Sequence, residues 1–120
     1  MAVEKALRHY LVRHGEAKAD MEDPARPLSD RGCEEVQRVA RHAAALGVEV
    51  AQIRHSDKLR AQQTAEILAE YLTPRLGIRQ IEGLAPGDDP ERSRAELEIA
   101  GEPLMLVGHL PHLSRLVSAL

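Results

Sequence analysis

The chain has 120 residues, enough for one domain with a single core and too few for two. Its 16 Lys and Arg against 19 Asp and Glu leave a net charge of −3, so nothing draws it generally to nucleic acid or an anionic membrane. Phe and Trp are absent and Tyr10 and Tyr71 stand alone, which excludes a base-stacking surface and leaves Leu, Val, Ile and Ala to build the core. The lone Cys33 cannot close an intramolecular disulfide and has no basic pair to activate it. No apolar run is long enough for a membrane span, and Met1-Ala2-Val3-Glu4-Lys5 does not begin a signal peptide. A cytoplasmic protein is the expectation.

In chain order, Leu7 to Val12 reads as a first strand, short and apolar. Glu16 to Pro27 carries Pro24, Pro27, Asp20, Glu22 and Asp23 and reads as a loop. Ser29 or Asp30 caps a helix whose face is Val36, Val39, Ala40, Ala43 and Leu46, with Gly32 an unfavourable early residue and Gly47 the stop. Val48 to Arg54 reads as a second strand, and Ser56-Asp57 opens a second helix that Pro74 and Gly77 end. Ile78 to Ile81 is a short strand. After the turn-rich Gly83 to Pro90, Asp89 caps a third helix with Pro90 at its first position, running to about Ala100. Leu104 to Val107 is the clearest buried strand. Beyond the turn at Gly108 to His112, Leu113 to Leu120 forms a last helix with a stripe of Leu113, Leu116, Val117 and Leu120. Strands alternating with helices predict an α/β fold: a three-layer sandwich, mostly parallel, with helices on both faces of the sheet.

Chemistry gathers just after the strands. Arg13-His14-Gly15 follows the first and Gly108-His109 follows the last. Arg60 lies in the first turns of the helix after the second. In a parallel sheet these ends share one edge, where α/β proteins bind ligands, and helix N-terminal amides there favour anions. Two arginines and two histidines at that edge make a phosphate-sized anion site with a nucleophile.

Arg13-His14-Gly15-Glu16, the run from Ser56 to Thr64 with Arg60, and Gly108-His109 together resemble the three signatures of the histidine phosphatase superfamily, the phosphoglycerate-mutase-like group. The short loop after the first strand, with Arg26-Pro27-Leu28-Ser29 and Gly108-His109-Leu110-Pro111, most resembles the SixA-type phosphohistidine phosphatases. The resemblance covers essentially the whole chain. It implies that His14 is the nucleophile, forming a phosphohistidine intermediate. Arg13 and Arg60 would clamp the phosphoryl oxygens, and His109, as a cation, would stabilise their charge. The implied substrate is a phosphorylated histidine-containing protein domain, with no metal and no cofactor. Relatives usually continue past the last helix, so residues 1–120 are expected to be a single domain truncated at the carboxyl terminus.

Many relatives carry a carboxyl general acid. Glu82 and Asp88 are the candidates here, with Asp89 nearby and Glu16 beside the nucleophile, and spacing does not choose among them. An imidazole leaves more easily than an alkoxide, so a weak acid suits a phosphohistidine substrate. His9, His42 and His55 are expected to be structural or incidental. His112 with His109 lacks a third metal ligand. Two further readings are a phosphomonoesterase acting on a small metabolite and a phosphoprotein-binding module that does not turn phosphate over.

Overall fold

A computed structural model describes residues 8–120; Leu7 of the expected first strand and the stretch Met1–Lys5 lie outside them. Eight elements alternate in sequence: β1 Tyr10–Arg13, α1 Asp30–Ala45, β2 Gln52–His55, α2 Leu59–Leu72, β3 Ile78–Gln80, α3 Pro90–Ile99, β4 Leu104–Gly108 and α4 His112–Ala119. The strands form one sheet in the order β1-β4-β2-β3, and every pairing among them is parallel. β4 has a strand on each side and helices on both faces, and all five of its residues are buried. That is why it shows no alternation of polar and apolar residues.

The core divides across the sheet. On one face α1 and α2 bring Val36, Ala40, Ala61, Ala65 and Leu68 onto Ile53, Met105 and Val107. On the other, α3 and α4 bring Leu97 and Leu116 onto Leu84, Leu104 and Leu106. The fold is thus an α/β sandwich of three layers, as the element order predicts. Cys33 is half-buried against the first cluster.

Three local differences from the sequence reading have physical causes. The second strand begins at Gln52 rather than Val48. Val48 and Val50 are apolar because they pack into the first cluster, and neither is paired in the ladder. α2 begins at Leu59 with Lys58 as its cap rather than at Ser56-Asp57, and the Ser56 hydroxyl, bonded to His109, accepts from the Lys58 amide at 3.3 Å just before the helix. Gly32 is more than a tolerated helix residue. A Cβ there would lie 2.1 Å from the Glu16 carbonyl oxygen, so only glycine lets the first turn of α1 press onto the loop leaving β1. Ser29 caps the same turn by accepting from the Gly32 amide at 3.0 Å, an interaction worth about 1 kcal/mol.

Candidate active site

The helix after β1 packs on one face of the sheet and the helix after the adjacent β4 packs on the other. Such a divergence opens a crevice at the strands' carboxyl ends. His14 follows β1 at this point and His109 follows β4. The His14 amide donates to the Gly108 carbonyl at 3.0 Å, continuing the β1–β4 ladder by one step. The two imidazole rings lie with centroids 4.8 Å apart, tilted by 54°.

His14 has a defined orientation. Its Nδ1 lies 2.7 Å from the Gly15 carbonyl oxygen, which can only accept, so the ring proton sits on Nδ1 and the lone pair on Nε2. Burial lowers its pKa below the usual imidazole value. The Gly15 bond opposes this, and the charges of Arg60, Arg13 and Arg26 reinforce it. At neutral pH the ring is uncharged, as an attacking nitrogen must be.

His109 is almost wholly buried, and its Nε2 lies 2.6 Å from the Ser56 hydroxyl. Burial first, then the neighbouring His14, Arg60 and Lys58, push its pKa down to about 4, against an opposing pull from Asp57. At that value the ring is neutral at pH 7, and the cation that the family resemblance implies requires an anion beside it.

Arg60, the second residue of α2, has its Nε buried with no protein partner, as has Nδ1 of His109. Each such buried polar atom costs about 1–3 kcal/mol unless something bonds it. An anion's oxygens are suitable partners. Arg13 lines the cavity beside His14.

A third guanidinium, that of Arg26, lines the same cavity, and the sequence reading assigned it no role in the site. Its charge acts on both His14 and Arg60, adding to burial in lowering the Arg60 pKa. Arg26 takes a left-handed backbone conformation at φ +47°, and its Nε donates to the Lys18 carbonyl at 3.1 Å. Its place in Arg26-Pro27-Leu28-Ser29 was the one signal in the sequence. Among the described residues, Arg13, Arg26 and Arg60 make no ion pair with any carboxylate, though the Asp57 charge reaches Arg60 and Glu16 and Glu35 line the cavity with Arg13 and Arg26.

The candidate acids are occupied away from these groups. Glu82 is exposed and pairs with Arg92 at 3.2 Å, while the Asp88 carboxylate accepts from the Ala85 amide at 2.9 Å. Asp89 caps α3, and Glu16 lies 3.7 Å from Arg31. Glu82, Asp88 and Asp89 line a neighbouring cleft with Ser56 and Asp57. Asp57, to which the sequence gives only a place at the start of the second helix, is the carboxylate whose charge reaches both His109 and Arg60.

Two of the remaining histidines bond the backbone. His9 Nδ1 accepts from the Leu104 amide at 3.1 Å, and buried His55 donates through Nδ1 to the Ser56 carbonyl at 2.8 Å. His112 is fully buried with neither ring nitrogen bonded.

Residues 9–87 match the family model of the histidine phosphatase superfamily, branch 1. The chain belongs to this superfamily. It is 29% identical over 119 residues to phosphohistidine phosphatase SixA of Escherichia coli (strain K12), covering 95% of this chain and 74% of that protein. A solved structure of the protein histidine phosphatase SixA complexed with tungstate superimposes with a TM-score of 0.80 at 29% identity, over 90% of this chain and 72% of that one. A SixA-assigned protein of Agrobacterium tumefaciens gives 0.81 at 25% identity, over 97% and 77%. This histidine phosphatase thus has the α/β fold of its relatives. No helix among its described residues is long and apolar enough to cross a membrane.

Proposed function

We propose that this phosphatase hydrolyses phosphohistidine on a protein, passing the phosphoryl group through His14. The observation that carries the reading is the orientation of His14: Nδ1 is held by Gly15, and Nε2 is left free within the field of three arginines, none of them in an ion pair. The Nε2 lone pair attacks phosphorus and the P–N bond to the substrate imidazole breaks; that ring, its other nitrogen protonated from solvent, leaves as neutral imidazole, while Arg13, Arg26 and Arg60 hold the phosphoryl oxygens in line. His109 takes a proton from solvent as the dianion settles and stabilises the charge on those oxygens. Water then displaces the phosphoryl group from His14 as inorganic phosphate.

Two observations favour an imidazole over an alkoxide as leaving group. Glu82 and Asp88 are each committed to another partner, and no carboxylate among the described residues is bonded to His14 or His109. The named activity of the E. coli relative points the same way. The lone Cys33 accords with a reducing cytoplasm. One observation favours a second reading, a small phosphorylated metabolite. The cavity of about 530 Å³ next to His14 has an apolar wall of Val12, Val36, Val39 and Leu68, and its volume suits a small ligand.

The test is to incubate the enzyme with a protein carrying labelled phosphohistidine and trap the intermediate. Acid-labile label on His14, absent from His14→Asn, is the expected result, with turnover reduced by about 10⁴-fold or more in the variant. Release of phosphate that survives His14→Asn overturns the covalent route. Faster turnover of small phosphate esters than of the phosphoprotein overturns the substrate assignment.

A further inference from the structure

Thr64 lies on α2 one turn after Arg60, wholly buried, with its hydroxyl turned toward the loop that carries the nucleophile. Its Oγ1 is 2.8 Å from the Arg60 carbonyl oxygen and 3.0 Å from the Gly15 amide nitrogen. The directions are forced. A carbonyl only accepts and an amide N–H only donates, so the single hydroxyl proton goes to Arg60 and a lone pair receives Gly15. The Gly15 carbonyl in turn accepts from Nδ1 of His14. The Arg60 carbonyl, Thr64 hydroxyl and Gly15 amide are thus joined by hydrogen bonds, and the two ends of Gly15 link them covalently to the bond that orients the ring of the nucleophile.

We propose that Thr64 is a positioning residue of the phosphatase reaction, registering the His14 ring and its tautomer against the first turn of the helix that carries Arg60. The alternative of a helix threonine merely bonding back to its own preceding turn leaves the Gly15 contact, 49 residues away in sequence, without a reason. The neighbouring Gln63 repeats the device at the other end of the loop, where its Oε1 accepts from the Leu28 amide at 2.7 Å, two residues beyond Arg26. Steric fit adds to the constraint, since a Cβ on Gly15 would meet Val36 at 2.6 Å. With Gly15 pinned, the His14 ring cannot pivot without breaking its bond to the Gly15 carbonyl.

The inference rests on His14 being the nucleophile, and its test includes a readout that does not. Thr64→Val keeps the shape and removes the hydroxyl, whereas Thr64→Ser keeps the hydroxyl. The expected outcome for Thr64→Val is a kcat reduced by about 100-fold, the scale set by misplacing a reacting group by about an ångström. KM should stay nearly unchanged. Its kcat/KM acid limb should move to lower pH, because loosening the Gly15 carbonyl removes the one bond that favours the charged His14. Thr64→Ser should recover most of the rate.

Nitrogen NMR of the imidazoles should show a single Nδ1–H tautomer of His14 in the wild type and a mixture in Thr64→Val. Should Thr64→Val not fold, the Gly15 amide of the wild type should still be protected from hydrogen exchange, and Thr64→Ser should retain that protection. A Thr64→Val enzyme with wild-type kcat and tautomer, a Thr64→Ser enzyme as impaired as the valine variant, or an unprotected Gly15 amide would each overturn the proposal. If the enzyme proves inactive on phosphohistidine while the NMR difference persists, the substrate reading fails and the positioning role stands.

Discussion

The loop after β1 and the turn after β4 each deliver one imidazole to the same crevice, and they treat it in opposite ways. His14 is half-buried, and its Nδ1 proton is received by the carbonyl of the very next residue, which leaves Nε2 exposed to a phosphorus atom. His109 is sealed inside, bonded through Nε2 to Ser56 with Nδ1 unpartnered, and burial holds its pKa at about 4. The first arrangement fixes a tautomer and so makes a nucleophile. The second holds back a charge that only a bound anion would release. Two identical side chains acquire different work from their surroundings, which is how paired titratable groups divide a reaction.

Exchanging each ring for an uncharged, unreactive amide breaks the comparison most sharply. His109→Asn should lower kcat/KM by about 10²–10³-fold, the range typical of losing one group that stabilises developing charge. Labelled phosphate should still accumulate on His14 in that variant, more slowly. Single-turnover trapping checks this, and loss of all label from His109→Asn would mean that the two rings do not divide the work as described. A smaller effect follows from Ser56→Ala, which removes the bond at 2.6 Å while leaving both rings in place. The expected loss is about 10-fold in kcat/KM, in keeping with about 1–3 kcal/mol for a buried polar group losing its partner. The acid limb set by His14 should not move, and a shift there would show that Ser56 serves both rings.

How much of this could be read in advance depended on range in sequence. The alternation of elements and the burial of Leu104–Val107 follow from local apolar pattern, and so does the placing of His14 and His109 at strand ends on one edge. Arg60 was legible for the same reason, two residues into a helix that follows a strand. The partners that give these groups their states were not legible. Ser56 meets His109 across 53 residues and Thr64 meets Gly15 across 49, and no periodicity encodes such contacts. Arg26 sits in a loop with no repeating pattern, and only its left-handed backbone and the bond to Lys18 turn it into the site. Gly32 looked like a poor helix residue because the loop it accommodates lies outside its own helix. The resemblance implies a cationic His109 beside a bound phosphoryl group, whereas the burial that lowers its pKa is a property of the packed fold.

The gentlest probe of the comparison uses pH and leaves the sequence intact. His14, His109 and His112 all have pKa values below that of a free imidazole, chiefly through burial. In the unfolded chain they titrate near the ordinary value of about 6.5, so as pH falls below that point the unfolded state binds protons first. Stability is therefore full above about 6.5 and is lost as pH falls toward the folded values, for His109 down to about 4. Thermal unfolding from pH 7 to 4.5 should show the midpoint falling, on the order of 4 °C for each kcal/mol lost. Sulfate remains a dianion throughout this range and is the probe of the held-back charge. Because its binding favours a protonated His109, linkage requires it to bind more tightly as the ring becomes easier to charge. At constant ionic strength, sulfate should raise the midpoint more at pH 5 than at pH 7 in the wild type, and by a smaller margin in His109→Asn, where His14 alone remains at the site to take up a proton. An equal gain at both pH values in the wild type would mean that sulfate acts only as a general stabiliser and that no proton enters with the anion.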